Sequence, residues 1–528
     1  MPRRTPSPPK PTDATSGRSP PPIAKILRHP ARRSGAKAFS APGYGGSLSF
    51  ASDDDPATAP GGGGRLVVVS NRVPVPTAAG QKAAGGLAVA LEAALKSHGG
   101  LWFGWSGRTV EGTPSPHPEM KRAGEITFAV IDLAQRDYDL YYAGFANRAL
   151  WPICHYRLDL MQIDGEETDG YFRVNAAFAD ALVPMLRSDD LVWVHDYHFL
   201  PFGRDLRARG VGNRLGFFLH IPWPPPDVAS ALPAYATLLE AMTAYDVLGF
   251  QTPQDADNFG RCLERDGIAR QVADGVFEAR GRRFQVRALP IGIDVEGFRA
   301  TAQRAVRNTM VQRFRASIGE RRLVIGVDRL DYSKGIRERI QSFACFVRAN
   351  PGVRNRVSYL QITPKSRSDV PEYRRMQDEV AEWVGSTNGS LGELDWMPVR
   401  YLNQTVNHAS LAGLYRMAAV GLVTPLRDGM NLVAKEFVAA QSPDDPGVLV
   451  LSRFAGAAQE LDGALVVNPY DVEATARAIA QGYDMAIEER RERWTAMSAR
   501  LAETDVNLWW RSFLAFLGEA ETASAASA

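Results

Sequence analysis

The sequence predicts an α/β protein made of two Rossmann-like domains, each a doubly wound parallel sheet, facing a central cleft. Three observations carry that expectation. From Arg65 onward, short apolar β-branched runs alternate with helix-length stretches. The runs form two series, together too many for one compact open sheet. Turn residues at Pro290-Ile291-Gly292 separate the series.

Parallel strands are buried on both faces, so they read as continuous apolar runs. The first series lies at 66–70, 126–131, 191–195, 215–220 and 247–251, and the second at 323–327, 357–362, 420–424, 448–451 and 464–467. Between them, helices are expected at 87–96, 172–186, 228–245, 336–349, 411–417, 432–440 and 472–485. Two more, at about 488–500 and 506–519, carry apolar residues at helical spacing. The expected organisation is a tail at 1–64, an amino-terminal Rossmann-like domain at 65–290 and a second Rossmann-like domain at 291–485. Carboxy-terminal helices at 486–528 are expected to pack back on the first domain.

Length and charge narrow the class. The 528 residues carry 61 Lys and Arg against 59 Asp and Glu, a net charge of +2. That balance gives no case for nucleic acid as an obligate partner. The charge is uneven, however. Residues 1–64 hold 12 of the 35 prolines and 9 of the 47 glycines, with nine basic and four acidic side chains. The remainder carries 52 basic and 55 acidic residues. The first 64 residues therefore read as a disordered, basic, Pro/Gly-rich tail. They contain no apolar core of a secretory signal; the Arg-rich start mimics a transit peptide, a solvated tail being the plainer reading. No apolar run is long enough to span a membrane. Cys154, Cys262 and Cys345 are far apart and form no CxxC pair. That fits a reducing compartment and neither a disulfide framework nor a zinc site. The expected location is cytoplasmic.

Ligands of open α/β sheets gather at the carboxyl ends of the strands, so those ends are informative. Six stand out. Val69-Ser70-Asn71-Arg72 leads through a loop to Gly85-Gly86, which reads either as a tight turn or as a helix start able to hold phosphate. Trp102-Phe103-Gly104-Trp105 offers aromatic faces for a sugar or for the core, with Tyr141, Tyr142 and Trp151 nearby on an expected loop. Trp193-Val194-His195-Asp196-Tyr197-His198 has an HxxH spacing without the glutamate or third ligand of a zinc site, so Asp196 reads as a hydroxyl acceptor. His220 ends another apolar run and fits a pocket or a satisfied core histidine.

Arg329 to Lys334 places two cations at the first strand end of the second domain, a pairing suited to pyrophosphate. Lys365-Ser366-Arg367 is a further basic cluster, either a phosphate contact or a solvated loop. Last, Thr424 to Glu436 breaks a strand at Pro425 and starts a helix near Asn431. The helix N-terminus can meet phosphates, with Glu436 one turn on for ribose hydroxyls. Asp137-Tyr138-Asp139 has the letters of a metal-binding DxD but reads as coincidence, so no metal is expected.

Together these segments resemble the trehalose-6-phosphate synthases, retaining glycosyltransferases of the GT-B fold. The likeness runs from Arg65 to Leu517 and includes HDYHFLPF, GFFLHIP, RLDYSKG, TPLRDGMNLVAKE and VLVLSRFAGAAQEL. It implies transfer of glucose from UDP-glucose to glucose-6-phosphate, with 65–290 as the acceptor domain and 291–485 as the nucleotide-sugar domain. By motif, it places Arg72, Tyr142, Trp151, Asp196 and Arg367 around the acceptor. Gly85, Gly86, Arg329, Lys334, Val406, Asp428, Leu432, Val433, Ala434, Lys435 and Glu436 would hold the donor, and Trp105 and His220 would line the sugar pocket. The resemblance further implies a metal-independent reaction and a homodimer or homotetramer. Trp223 replaces the Phe or Tyr expected after HIP, Lys365 replaces a smaller residue, and the loop from Arg72 to Gly85 is one residue longer. No phosphatase motif follows Trp509-Trp510, so no fused phosphatase is expected. Two other readings are a related GT-B enzyme with a different nucleotide-sugar and a catalytically silent sugar-phosphate sensor.

Overall fold

A computed structural model describes residues 64–76, 86–364 and 371–525. All of them lie in the compact unit Gly62–Ala528. The tail expected at 1–64 falls almost wholly outside the described residues, as do Gly85, Lys365 and Arg367.

Two sheets organise the molecule. The amino-terminal one comprises β1 (Leu66–Arg72), β2 (Gly100–Val110), β3 (Glu119–Ala123), β4 (Ile126–Ala134), β5 (Leu191–His195), β6 (Arg214–Phe218), β7 (Val247–Phe250), β8 (Arg270–Ala273), β9 (Val276–Ala279) and β10 (Arg282–Ala288). Their order is β3-β4-β2-β1-β5-β6-β7-β10-β9-β8. The interior pairs are parallel, whereas β3 joins β4 antiparallel and β8 to β10 form an antiparallel meander. The second sheet comprises β11 (Arg322–Val327), β12 (Val357–Ile362), β13 (Val399–Leu402), β14 (Val420–Val423), β15 (Val448–Ser452) and β16 (Leu465–Val467). It is parallel throughout, in the order β13-β12-β11-β14-β15-β16.

Three expectations are corrected. The single helix at 228–245 is two helices, Pro226–Ala229 and Tyr235–Met242. Pro233 lies between them and cannot donate the bond that would join them. Tyr141 and Tyr142 lie on a wide helical segment, Asp139–Leu150, and Trp151 opens the helical turn Trp151–Cys154, so none of the three is on a loop. The wide segment breaks at Gly144, whose backbone leaves the helical region at φ −76°, ψ −110°. Finally, the amino-terminal sheet is twice the size read from apolar runs. β3 is nearly all exposed, and β8 and β10 carry arginines, so none reads as a buried strand.

The chain passes between the lobes twice, and the crossings meet: Val506 donates its backbone N–H to Ile293 O at 3.2 Å. The second crossing opens the helix Val506–Ala525, which lies on the amino-terminal sheet. Phe513 stacks on Trp193 of β5 with ring centroids 4.5 Å apart and packs over Gly216 and Gly249. Phe513 is fully buried, so Phe513→Ala should cost about 3–5 kcal/mol, the usual range for a buried Phe truncation. A thermal melt of that variant overlaying the wild type would show that the helix contributes nothing to the sheet.

Candidate active site

The ends of β1, β5 and β6 face those of β11 and β14 across a cleft of about 690 Å³. From the amino-terminal lobe it is lined by Arg72, Tyr142, Trp151, Asp196 and His220, among others. From the other lobe come Arg329, Lys334, Asp428, Leu432, Val433 and Glu436.

On the first wall, Arg72 is exposed at the end of β1. Asp196 follows β5 at φ 76°, a value that non-glycine residues seldom adopt and that tends to mark functional sites. Its Oδ1 accepts the backbone N–H of His220 at 3.2 Å. Tyr142 lies nearly parallel to His198, with centroids 5.7 Å apart. Trp151 is packed against His155 and donates its Nε1 hydrogen to Asp331 Oδ1 of the facing lobe at 3.4 Å. The Arg329 guanidinium sits 5.7 Å from the Trp151 ring centre, so the two walls touch here.

The opposite wall is built on a buried charge. Arg339, on the helix Ile336–Ala349, is fully buried and pairs with Asp328 at the end of β11. It also donates to Thr424 Oγ1 at 3.0 Å and to Lys334 O at 3.1 Å. One guanidinium thus ties the β11 loop, the Lys334 turn and the end of β14. Gly335 permits this: its φ is +62°, and a Cβ there would sit 2.4 Å from Thr424 O. Lys334 then reaches forward, Nζ donating to Asp428 Oδ2 at 2.5 Å, while Asn431 Nδ2 donates to the same oxygen at 3.0 Å.

The helix Leu432–Ala440 starts at Asn431, φ 74°, whose own side chain makes no capping bond to the first turn. Leu432 and Val433 therefore bring uncapped N–H groups to the cleft, a site suited to an anion. Gly429, just before, presses against the other lobe, where a Cβ would sit 2.2 Å from His220 O. Glu436 lies one turn into the helix, partly open to the cleft, and burial pushes its carboxyl up to about 7. A carboxyl so placed can both donate to and accept from hydroxyls.

Several other residues singled out in the sequence stand back from the cleft. Trp105 lies behind Tyr142, its ring 6.0 Å away and its Nε1 hydrogen given to Arg108 O. The Lys435 side chain is buried, bonded to Ile291 O at 2.8 Å and paired with Glu460. Ala434 is fully buried, and Val406 is buried ahead of the helix His408–Met417. Gly86 opens the helix Gly86–His98, whose Ala88 and Leu91 reach the cleft. Asp137 and Asp139 are bonded to Arg173 and Gln135 and do not line it. Among the described residues, no three of His, Cys, Asp and Glu cluster as metal ligands, and no helix is long and apolar enough to cross a membrane. The sequence reading missed Arg339, Asp328 and Gln251. Gln251 follows β7, so the strand-end rule alone singles it out.

The model of glycosyltransferase family 20 matches residues 64–519. The chain belongs to glycosyltransferase family 20. Its facing parallel-sheet domains are a GT-B fold. A trehalose-6-phosphate synthase of Sinorhizobium fredii is 56% identical over 452 residues, covering 85% of this chain and 97% of that protein. Among solved structures, the UDP-forming α,α-trehalose-phosphate synthase of Burkholderia xenovorans in complex with glucose-6-phosphate is 47% identical at TM-score 0.83, covering 86% of this chain and all of the other. The Escherichia coli protein bound with UDP-2-fluoro glucose is 44% identical at TM-score 0.81, covering 86% and 98%.

Two outcomes test this geometry in the family member at hand. Arg339→Met leaves Asp328 buried without its partner and should cost about 3–5 kcal/mol of stability, measured by denaturant unfolding. Lysine should not rescue it, having no fork to span the bonds described. The raised Glu436 carboxyl sets a pH dependence. Between its ordinary value of 4.5 and about 7 the folded protein holds a proton that the unfolded chain has lost. Stability of the empty protein should fall as pH rises through that window, and Glu436→Gln should remove this part of the slope in thermal melts.

Proposed function

We propose that this chain transfers glucose from UDP-glucose to glucose-6-phosphate with retention, giving α,α-trehalose-6-phosphate and UDP. The observation that carries the reading is the cleft itself. It gathers Arg72 and Asp196 from one lobe with Arg329, Lys334, Asp428 and Glu436 from the other. Relatives of this family, one in complex with glucose-6-phosphate and one with UDP-2-fluoro glucose, share the fold over most of the chain.

In this reading Arg72, Tyr142, Trp151, Asp196 and Arg367 hold the acceptor. Asp196 accepts from its hydroxyls, and the arginines meet its phosphate. Arg329, Lys334 and the N–H groups at the start of the helix Leu432–Ala440 take the donor's diphosphate. Leu432 to Lys435 contribute backbone, consistent with the buried side chains of Ala434 and Lys435. Glu436 takes the ribose, Asp428 the transferred glucose, and Gly85, Gly86 and Val406 complete the donor side. Trp105 supports the sugar pocket through Tyr142, and His220 meets it directly.

During transfer the bond from glucose C1 to the phosphate oxygen breaks, and UDP leaves with the electron pair. Negative charge grows on the phosphate while the ring becomes oxocarbenium-like. Fixed cations and helix N–H groups stabilise that charge without reorganising, which is where such sites gain most of their rate. The acceptor hydroxyl forms the new bond on the same face and passes its proton to the departing phosphate. The reading assigns no step to a metal. It also places the enzyme in the cytoplasm, as a homodimer or homotetramer.

A UDP-release assay with and without glucose-6-phosphate, run beside ADP-glucose and GDP-glucose, tests the reading and the donor base together. Release that needs glucose-6-phosphate and prefers UDP-glucose supports it; no release, or release indifferent to the acceptor, overturns it. Arg329→Ala should lower kcat by about 10²–10³-fold, as loss of one preorganised donor does, with an unchanged melting temperature. Turnover near that of the wild type would remove Arg329 from the role given to it.

A further inference from the structure

Resting on the sugar-transfer reading, we propose that Gln251 is a positioning residue that fixes which nitrogen of His220 carries its hydrogen at the cleft. Gln251 is buried at the end of β7 and lines the cleft. Its Oε1 lies 3.1 Å from the backbone nitrogen of Ile291. A backbone N–H can only donate, so the amide orientation is decided: Oε1 accepts and Nε2 donates. Gln251 Nε2 lies 3.3 Å from His220 Nδ1, which must then be the acceptor. A neutral imidazole has one donor and one acceptor, so the His220 hydrogen sits on Nε2.

The chain continues one ring further. His220 Nε2 is 3.1 Å from His195 Nδ1, which accepts, leaving the His195 hydrogen on an Nε2 that is buried with no hydrogen-bond partner among the described residues. Burial holds the His220 imidazole down to about 3 and His195 well below its ordinary value, so both rings are neutral. A single backbone N–H therefore dictates two tautomers.

The source of that N–H matters. Ile291 belongs to the first crossing between the lobes, and its carbonyl accepts from Lys435 Nζ at 2.8 Å, on the helix that starts at the cleft. The peptide groups flanking Ile291 are thus gripped from both lobes. His220 consequently offers the cleft a neutral N–H donor, with His195 Nδ1 as its resting acceptor. A sugar hydroxyl oxygen can take that hydrogen in place of His195. The opposite tautomer would offer a lone pair, which no hydroxyl oxygen can meet without turning its own hydrogen toward the ring.

Nitrogen-15 spectra of the imidazoles in the full chain, with His220 assigned from a His220→Gln sample, read the tautomer directly. The wild type should show the hydrogen on Nε2 of His220. In Gln251→Glu, a side chain of the same length, read at a pH high enough to ionise the buried carboxyl, both oxygens accept, one from Ile291 N–H and one from the ring, so the hydrogen should move to Nδ1. Its kcat, measured well below its melting temperature, should fall about tenfold, one hydrogen bond's worth. Gln251→Met should give a mixture of tautomers. An Nδ1-bound hydrogen in the wild type, or a Gln251→Glu protein with wild-type spectrum and kcat, overturns the proposal. The spectrum needs no substrate. An expected tautomer in a chain that releases no UDP would therefore fault the transfer reading and leave the hydrogen-bond chain standing.

Discussion

The pair between Arg339 and Asp328 underlies the cleft wall that carries Arg329, Lys334 and Asp428. Burying two charges is costly, and such a pair is often no more stabilising than apolar residues of the same volume. What it supplies here is placement. Asp328 ends β11, Lys334 O belongs to the next turn, and Thr424 follows β14, and a single planar guanidinium reaches all three. The loops carrying Arg329, Lys334 and Asp428 are therefore held by one rigid fork, not by three independent packings. A polar cluster of this kind is intolerant of partial loss, because each remaining partner would be left unpaired in a dry interior.

The two walls are also held against each other. Trp151 donates to Asp331, Gly429 fits against the His220 carbonyl, and the Arg427 guanidinium lies 3.7 Å from the Tyr156 ring centre. Tyr156 does this at φ 60°, strained for a bulky side chain, so the contact is maintained against a local backbone cost. The net charge of +2 predicts nothing about this cleft. Arg72, Arg329 and Lys334 concentrate positive charge at strand ends, while Asp196, Asp428 and Glu436 stand beside them. Charged substrates meet that local pattern and not the total.

What the sequence reveals follows from what burial does to composition. Interior parallel strands must be apolar on both faces, so β5, β11, β12 and β15 stand out as runs. The edge strand β3 and the meander β8 to β10 need no such composition, and their exposed arginines and glutamates look like loop. Strand ends are legible for the same reason, since a polar residue closing an apolar run is conspicuous. Arg72, Asp196, Arg329, Lys334 and Asp428 all follow that pattern and all line the cleft. Partnership is not legible. Arg339 and Lys435 look like any charged residue on an amphipathic helix, yet both are fully buried. Their partners, Asp328 and Glu460, are 11 and 25 positions away in sequence. Arg367 and Gly85 lie outside the described residues.

The helix Val506–Ala525 covers a sheet whose strands were all laid down before residue 289. In spatial terms the second lobe is an insertion between the sheet and its last covering layer. A ribosome releases these pieces in order, so the amino-terminal sheet emerges early with Trp193, Phe218, Gly216 and Gly249 uncovered. One face of the amino-terminal sheet closes on residues 67–286 alone, but the face carrying Trp193 and Phe218 waits for Phe513 and Leu517, for the time taken to synthesise more than 200 residues. Truncation near the carboxy terminus would therefore uncover a face of the lobe made first.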